Sequence, residues 1–442
     1  MHERQAWHRG AVKPLLVLAA FALLGAAPSQ PPADAPALRF DLPGVRIGVA
    51  HDEDGPTGAT VFHFPQPVMV AVDVRGGSPG TVNTDALRWS YDESFVDAIT
   101  FAGGSSYGLS VATGVAEALK DERADAGAPA NIATVAGAII FDLGPRRFTT
   151  VTPGDALARA ALKSAREGWF PQGAAGAGRF ATQGGFFDAR TNSGQGGAIR
   201  ESGPTKVAVF TVVNALGHVV DRQGRVVRCA GPTPNACGTI HERIAARLGG
   251  APERGGNTTL TLVLTNQKLP VWALQRLAVQ VHQSMGRAIQ PYATTADGDV
   301  LFAATTGAVD NPELPVERLG LLASEAAWDA VLASVPPLDP EPAPGPAPDA
   351  RTLASYAGSY AFAPGMRATV AVSDGKLTIT GPQRASLYLP QGRAVALEAI
   401  NAAEFRIEGS RRDRLRFERS GGRATGLVIN PGQWPVRARR VR

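Results

Sequence analysis

Apolar and polar positions alternate in TLTLVLT at residues 259–265, with the leucines on one face and threonines and a valine on the other. A period of two is typical of a β-strand. A glycine-rich stretch leads into this strand, and the junction between them is Asn257-Thr258. This junction is either an ordinary entry into a strand or a place where the chain is cut.

Strand and helix patterns interleave over the first three quarters of the chain. Strand patterns occur in PVMVAVDV, NIATVAGAIIFDLG and KVAVFTVVNALG, and helix patterns in GLSVATGVAEALKDERA, GDALARAALKSAREGW and VWALQRLAVQVHQSM. In the last helix, Leu274, Leu277 and Val281 recur at helical spacing. The interleaving predicts a layered α/β body.

The C-terminal part has a different pattern. PPLDPEPAPGPAPDA at residues 336–350 is typical of a semi-extended linker. ATVAVSDGKLTITG predicts a hairpin, in which Asp374-Gly375 suits a type I′ turn. SLYLPQG, EFRIEGS, RLRFERS and ATGLVIN follow at short spacing. We therefore expect an antiparallel sandwich or barrel after the linker.

The N-terminus has the order of a secretory signal. Basic residues precede an apolar run at residues 15–24, and Gly25-Ala26-Ala27 follows it. The run is too short for a stable membrane span. We expect removal of this segment and a periplasmic or secreted protein.

Composition adds little to this picture. The hydrophobic share of 44% and the charged share of 19% fit a soluble globular protein, and the net charge of +5 is modest for 442 residues. The basic end VRARRVR lacks interleaved aromatics, so we expect a solvated terminus and no nucleic-acid partner.

Two cysteines, Cys229 and Cys237, flank a proline-rich turn. After export they can close a small loop, so we expect a disulfide; two unpaired thiols are the alternative. A metal site needs more ligands than this cluster offers, and we expect none.

The stretch Gly104-Ser105-Ser106-Tyr107-Gly108 matches the G-x-S-x-G pattern of a nucleophile elbow, between an apolar segment and a helix. Histidines further along the chain could complete a triad. Short patterns with two glycines also arise wherever a strand turns tightly into a helix. We favour a structural turn and keep a serine esterase that uses Ser106 as an alternative.

Three polar residues near strand ends are further candidates. Asp297 and Asp299 lie two residues apart, so in an extended segment both carboxylates point to one side. The alternative is a hairpin turn, because Asp-Gly is a strong turn signal. Asn214 closes an apolar strand, where it is either an ordinary turn residue or an oxyanion donor.

The Asn257-Thr258 junction has the chemistry for self-cleavage. If the Thr258 hydroxyl attacks the Asn257 carbonyl carbon, an N-to-O acyl shift and hydrolysis release a chain that begins at Thr258. Its new α-amine has an unperturbed pKa near 8 and can act as a base close to neutral pH. Spacing alone leaves an ordinary loop-to-strand junction open.

Several segments together resemble one family in colinear order over residues 38–333. They are DLPGVRIGVAHDEDGPTGATVF, VDVRGGSPGT, FAGGSSYGL, GAIIFDL, GAAGAG, VVNALGHVVD, GGNTTLTLVLT and DGDVLFAATTG. They resemble the self-processing aminopeptidases of the DmpA type, which include β-aminopeptidases and the nylon-oligomer endohydrolase. The resemblance implies a four-layer α/β/β/α sandwich of the N-terminal-nucleophile type, cut into two chains that stay associated, commonly as a tetramer of such pairs.

The resemblance also assigns roles. It implies that Thr258 is the nucleophile and Asn257 the residue before the cut. Asn214 matches the asparagine near the oxyanion, and Asp297 and Asp299 match the carboxylates that orient the amine and hydroxyl of the nucleophile. It makes the Gly104–Gly108 turn structural.

Three positions depart from the family pattern. Gly185 stands where we expect a lysine that reaches the active site, and Gln195 replaces another commonly basic residue. Phe141 stands where a tyrosine is frequent, and we assign it to substrate binding. Losing a cation and a hydroxyl near a nucleophile alters its pKa and the oxyanion support.

The C-terminal module resembles the lipocalin-like barrel appended to some periplasmic hydrolases, which implies an accessory role. The predicted divisions are a signal at 1–27, a tether at 28–37, a peptidase domain at 38–333 cut between 257 and 258, a linker at 334–350 and a barrel at 351–442.

We expect an exported hydrolase of short peptides or peptide-like amides that needs no cofactor. A catalytically inactive binding protein is the other alternative.

Overall fold

The computed structural model describes residues 28–31, 35–53, 55–89, 94–143, 151–187, 190–229, 237–246, 257–382, 388–409, 413–432 and 434–441. The predicted signal at 1–27 and the glycine-rich stretch before Asn257 lie outside the described residues. No helix within these ranges is long and apolar enough to cross a membrane.

The body alternates strands and helices, as the sequence pattern predicts. Its strands are β1 (Ala37–Arg39), β2 (Arg46–Asp52), β3 (Thr57–Val74), β4 (Thr81–Val82), β5 (Phe95–Ala102), β6 (Val135–Ile139), β7 (Trp169–Pro171), β8 (Thr182–Gln183), β9 (Thr191–Asn192), β10 (Gln195–Ser202), β11 (Thr205–Asn214), β12 (His218–Val219), β13 (Thr258–Gln267), β14 (Ile289–Gln290) and β15 (Val300–Val309). Its helices are α1 (Thr84–Trp89), α2 (Ser110–Glu122), α3 (Asp155–Lys163), α4 (Ile240–Ala246), α5 (Val271–Ser284) and α6 (Val316–Ala333).

Strand β3 runs through two stacked layers of sheet. Its first part pairs with β2 and β5, whereas its last part pairs with β15. The pairing with β5 shifts register between His63 and Val68, where Pro65 and Pro67 lie. Proline has no backbone N–H to donate to a neighbouring strand, so the ladder is interrupted there. The strands β10-β11-β13-β15 continue from one part of β3, and β5-β6-β4 from the other.

Three buried clusters separate four layers. The central cluster packs the leucines of β13 against phenylalanines of β3 and β5. The second lies between β11, β13 and β15 and the helices α5 and α6. The third lies between β2, β3, β5 and β6 and the helices α2 and α3. The predicted α/β/β/α sandwich is confirmed, and apolar burial holds its layers together at roughly 1.5–3 kcal/mol for each large side chain.

The C-terminal module is a closed antiparallel barrel. Its strands are β16 (Gly358–Ala363), β17 (Met366–Ser373), β18 (Lys376–Thr380), β19 (Ala394–Ala399), β20 (Glu404–Ile407), β21 (Arg414–Ser420), β22 (Arg423–Ile429) and β23 (Val436–Val441), preceded by helix α7 (Ala350–Tyr356). Asp374 and Gly375 join β17 to β18 with φ of 49° and 74°. A type I′ turn needs positive φ at both central residues, so the predicted hairpin is confirmed.

Some local expectations differ from the structure. The predicted strand at SLYLPQG is wrong over its described part, because residues 388–392 form turns and β19 begins at Ala394. Pro390 and the positive φ of Gly392 suit a turn better than a strand. Helices α1, α4, α6 and α7 have no counterpart among the predicted elements.

The predicted tether and linker both contact the folded parts. Ser29 exchanges two backbone hydrogen bonds of 2.9 Å with His51. The stretch between α6 and α7 contains neither helix nor strand and is mostly exposed, but Gly345 donates to the Ile400 carbonyl at 2.9 Å. The linker therefore docks partly on the barrel.

Candidate active site

Thr258 is the first residue of β13, the central strand of the larger sheet layer. Strand alternation puts its side chain on the same side as Leu260 and Leu262, toward the space between the two sheet layers. Only 3% of Thr258 is exposed. Asn257 is also buried and forms a parallel bridge with Asp297. The junction is therefore held firmly at one end of the central core.

The carbonyl of the Asn257–Thr258 peptide bond is bound from two sides. The Thr258 hydroxyl donates to the Asn257 oxygen at 2.5 Å, and the Gly298 N–H donates to the same oxygen at 2.7 Å. An N–H aimed at a carbonyl oxygen stabilises the negative charge that develops there during nucleophilic attack. A hydroxyl and a backbone N–H are thus both within hydrogen-bond distance of the carbonyl oxygen of this bond.

Gly298 fits this place because it has no side chain. A β-carbon there would lie 2.7 Å from the Thr258 Oγ1 atom and 2.7 Å from the Ser78 carbonyl oxygen. The Ser78 N–H in turn donates to the Asp297 carbonyl at 2.8 Å. The loop of residues 75–78 therefore packs on the Asp-Gly-Asp segment and holds it against Thr258.

Asn214 lies opposite Thr258 on the neighbouring strand β11. Directly paired residues of antiparallel strands project to the same face, so the two side chains are neighbours. The Asn214 Nδ2 atom donates to the Phe141 carbonyl at 3.0 Å, and its Oδ1 atom accepts from the Thr182 N–H at 3.2 Å. The structure thus brings Asn214 and Phe141 to the junction and fixes the orientation of the amide.

Asp297 and Asp299 lie on either side of Gly298 and are both almost fully buried. Asp297 accepts from the backbone and hydroxyl of Thr294, and Asp299 accepts from the Thr259 N–H at 2.5 Å and the Ala293 N–H at 3.0 Å. Burial raises the pKa of Asp297. Burial, and then repulsion from Asp297, raises the pKa of Asp299 well above its usual range.

Arg190 is a cation near the junction that the sequence analysis missed. Its Nη1 atom donates to the Asn257 Oδ1 atom at 3.4 Å and to the Thr182 hydroxyl at 2.9 Å. Gly185, the position of the expected lysine, is buried in a short 3₁₀ helix. The site therefore contains a positive charge five residues further along the chain, and no local sequence signal marks it.

Tyr292 is a second missed residue. Its hydroxyl is buried and has no hydrogen-bond partner among the described residues. Burial raises the pKa of Tyr292 well above its usual range, and the charges of Asp299, Asp297 and Asp73 act in the same direction. The hydroxyl therefore stays protonated beside the carboxylate pair.

The structure makes Ser106 a poor nucleophile. It is exposed in a short 3₁₀ helix, and among the described residues no histidine hydrogen-bonds to it. The buried carboxylate of Asp142 accepts from the Gly104 N–H at 2.8 Å and from the Thr57 hydroxyl at 2.7 Å, which explains the tight turn. These contacts favour the structural interpretation of the Gly104–Gly108 stretch.

Gln195 also has a structural place. Gln195 is fully buried. Its side-chain amide donates to the Pro171 carbonyl at 2.7 Å and accepts from the Thr60 hydroxyl at 2.8 Å. A cation at this position would be surrounded by neutral partners, which stabilise a buried charge poorly.

Cys229 and Cys237 lie with their Cα atoms 6.0 Å apart. That separation is within the range that a disulfide spans. The residues between them, 230–236, are outside the described part of the chain. The disulfide stays a prediction that this geometry allows.

Comparison with known proteins gives consistent matches to the body. Residues 40–336 match peptidase family S58. The 6-aminohexanoate-oligomer endohydrolase of Paenarthrobacter ureafaciens is 42% identical over 311 residues, which cover 67% of this chain and 85% of that protein. An uncharacterised aminopeptidase of Mycobacterium bovis is 34% identical over 340 residues, covering 69% of this chain and 94% of that protein.

The fold has a counterpart among solved structures. A β-aminopeptidase from Burkholderia sp. superimposes with a TM-score of 0.50 at 18% identity, covering 68% of this chain and 87% of that one. At this identity the likeness concerns the fold alone. The family match spans every strand of the large sheet and all the candidate residues described above. The chain therefore belongs to peptidase family S58.

Proposed function

We propose that this chain is an exported amide hydrolase that cuts itself between Asn257 and Thr258 and then uses Thr258 as an N-terminal nucleophile. One observation carries the proposal. The Asn257 carbonyl oxygen is held by the Gly298 N–H at 2.7 Å while the Thr258 hydroxyl lies 2.5 Å from it. Holding reacting groups in place before the reaction supplies much of the rate of such steps.

The self-cleavage proceeds in two steps. The Thr258 Oγ1 atom forms a bond to the Asn257 carbonyl carbon, and the carbon–nitrogen bond breaks as the nitrogen takes up the hydroxyl proton. An ester now joins the two residues. Water hydrolyses this ester, which leaves a carboxyl group on Asn257 and restores the Thr258 hydroxyl. The Gly298 N–H stabilises the charged oxygen during attack.

Turnover then repeats the same chemistry on an external amide. The free α-amine of Thr258 takes the hydroxyl proton and returns it to the leaving amine. Asn214 supports the oxyanion side of the site, and the aspartates orient the segment that carries Gly298. The relatives named as an oligomer endohydrolase and as aminopeptidases support short peptides or peptide-like amides as the substrate class.

The first test is the covalent state of the purified protein. We expect intact-mass measurement under denaturing conditions to give two chains, with the second beginning Thr-Thr-Leu by N-terminal sequencing. The cleaved protein should then hydrolyse members of a panel of 6-aminohexanoate oligomers, β-peptides and α-peptides. A correctly folded chain that stays intact would support the inactive binding protein instead.

Ser106→Ala separates the two enzyme hypotheses. Because Ser106 is exposed and makes no contact with the junction, we expect the variant to cleave itself and hydrolyse the active panel members at rates within about twofold of wild type. Steady-state rates measured on equal amounts of cleaved protein check this. Loss of hydrolysis in Ser106→Ala with normal cleavage would favour the serine esterase.

Asp299→Asn tests the electrostatics of the carboxylate pair. Because its pKa is raised in the folded state, ionisation of Asp299 costs stability, and this cost grows as pH rises from the unfolded pKa toward the folded one. Asparagine cannot ionise. The unfolding temperature of the variant minus that of the parent should therefore become more positive between pH 4 and pH 8.

Thermal unfolding for this comparison is measured in chains that also carry Thr258→Ala, so that all molecules share one covalent structure. Asp310→Asn makes the same substitution at an exposed position and is the matched control. A difference that stays flat or falls with pH for Asp299→Asn would contradict the raised pKa.

Export and assembly are separate parts of the proposal. The N-terminal pattern supports export, and the family resemblance supports a tetramer of cleaved pairs. Cell fractionation and light scattering of the cleaved protein test them.

A further inference from the structure

One segment of the body touches both the candidate site and the barrel. It spans residues 176–193, of which 188 and 189 are not described, and we call it the bridging segment. On the site side, its Thr182 N–H donates to Asn214 and its Arg190 donates to Asn257. The segment therefore supplies one wall of the site around the scissile bond.

The other side of the bridging segment is held by the barrel. Phe180 is fully buried within the core cluster of the barrel, with its ring edge-on to Tyr388 at 6.3 Å between centroids. Asn192 donates to the Tyr388 hydroxyl at 3.1 Å, and the Trp434 indole N–H donates to the Ser193 carbonyl at 2.8 Å. The barrel thus contacts the segment through both apolar packing and directed hydrogen bonds.

Two arginines strengthen this contact. Arg179 is buried, pairs with Glu53 at 2.7 Å and donates to the Pro435 carbonyl at 3.1 Å. Arg228 lies over the Trp434 ring at 5.0 Å and donates to the Asn192 carbonyl at 3.0 Å. Buried arginines with several partners lose much of their freedom, so they hold the segment in one place.

The barrel side of this contact lies outside the part of the chain that matches the family, whereas the bridging segment lies inside it. The family match ends at residue 336, before the first strand of the barrel. We propose that Trp434 and Tyr388 are positioning residues: the barrel holds the bridging segment, and with it Thr182 and Arg190, against the Asn257–Thr258 bond. This inference rests on the proposed function and makes the barrel part of the catalytic apparatus.

The expected effect follows from geometry. The Thr182 N–H donates to Asn214 at 3.2 Å, and Arg190 donates to Asn257 at 3.4 Å. A shift of the segment by about 1 Å would lengthen these bonds beyond their useful range, and displacements of that size cost up to about 100-fold in rate. Loosening the barrel contact should therefore slow the reaction without removing any reacting group.

Trp434→Phe and Tyr388→Phe test the proposal in the full-length chain. Each removes one hydrogen bond to the bridging segment and keeps an aromatic ring. Trp328→Phe is the matched control for Trp434→Phe, because it also removes a bond from an indole N–H to a backbone carbonyl, that of Val220. Tyr356→Phe controls for the loss of a buried tyrosine hydroxyl, which in Tyr356 donates to the Ala402 carbonyl and in Tyr388 accepts from Asn192. Pulse-labelled chains made by cell-free synthesis give the rate of self-cleavage on denaturing gels.

We expect the two test variants to cleave about 10- to 100-fold more slowly than wild type and the two controls within about twofold, at similar unfolding temperatures. Hydrogen exchange in a Thr258→Ala background gives a second readout that needs no cleavage. Amides of the bridging segment should exchange faster than in the parent chain in both test variants. Their exchange rates should be unchanged in both controls.

Cleavage at the wild-type rate in both test variants, or equal slowing in the controls, would overturn the proposal. If one test variant does not fold, the cleavage rate of the other test variant decides whether the proposal holds. If the wild type never yields a chain that begins at Thr258, the proposed function fails instead. Hydrogen exchange then still shows whether the barrel holds the segment.

Discussion

Thr258→Ala should leave the chain uncut and without detectable hydrolysis of any amide in the panel. The change removes the hydroxyl that attacks the Asn257 carbonyl in the proposed mechanism. Removal of a catalytic nucleophile lowers turnover on the order of 10⁶-fold in a serine hydrolase. The fold should survive, because the change removes one hydrogen bond and a methyl group, a cost of about 1–2 kcal/mol. Intact mass, hydrolysis rates and thermal unfolding measure these effects.

Two companions sharpen this experiment. Thr258→Ser keeps the hydroxyl and should retain cleavage, at a reduced rate. Thr259→Ala makes the same change one residue further along β13, on the opposite face, and should still be cut. Turnover by folded Thr258→Ala at the wild-type rate would eliminate Thr258 as the nucleophile and with it the proposed mechanism.

Gly298→Ala should slow both self-cleavage and turnover by about 100- to 1000-fold. The new methyl group would lie 2.7 Å from the Thr258 Oγ1 atom and from the Ser78 carbonyl oxygen, closer than packed atoms can approach. The loop must move, and its N–H then leaves the Asn257 oxygen. Loss of one oxyanion donor costs 10²–10³-fold in known cases. Gel-based cleavage rates and kcat/KM measure the effect.

Gly286→Ala is the matched control, because a β-carbon there meets nothing within 4 Å. It should cleave and turn over like the wild type. Crowding also costs Gly298→Ala about 1–3 kcal/mol of stability, so unfolding temperatures are measured alongside. Cleavage of folded Gly298→Ala at the wild-type rate would show that the Gly298 N–H does not support the reaction.

Local patterns predicted the parts of the fold that depend on neighbouring residues. The leucine alternation of β13 and the stripe of Leu274, Leu277 and Val281 in α5 predicted which residues lie in the core. The Asp374-Gly375 turn was predicted because backbone conformation there depends on two adjacent residues. Local patterns failed at residues 386–392, which resembled a strand in sequence. Pro390 and Gly392 favour a turn there, so Tyr388 lies in a loop.

The site was predictable only in part. Polar residues at the ends of apolar strands are recognisable from sequence, and the family resemblance assigned roles to four of them: Thr258, Asn214, Asp297 and Asp299. Arg190 stands in an ordinary loop, and its approach to Asn257 depends on how the bridging segment folds back. The roles of these residues in catalysis stay predictions until the variants are measured.

The sequence by itself determined the layered α/β body and the separate β-module, because these depend on periodicity, and it singled out Asn257-Thr258 as the proposed site of cleavage from the chemistry of adjacent residues. Only the tertiary structure decided which groups meet at that bond. Gly298 and Arg190 reach it from distant parts of the chain, and the barrel reaches the segment that carries Arg190. These tertiary contacts follow from the packing of whole layers, which no short stretch of sequence encodes.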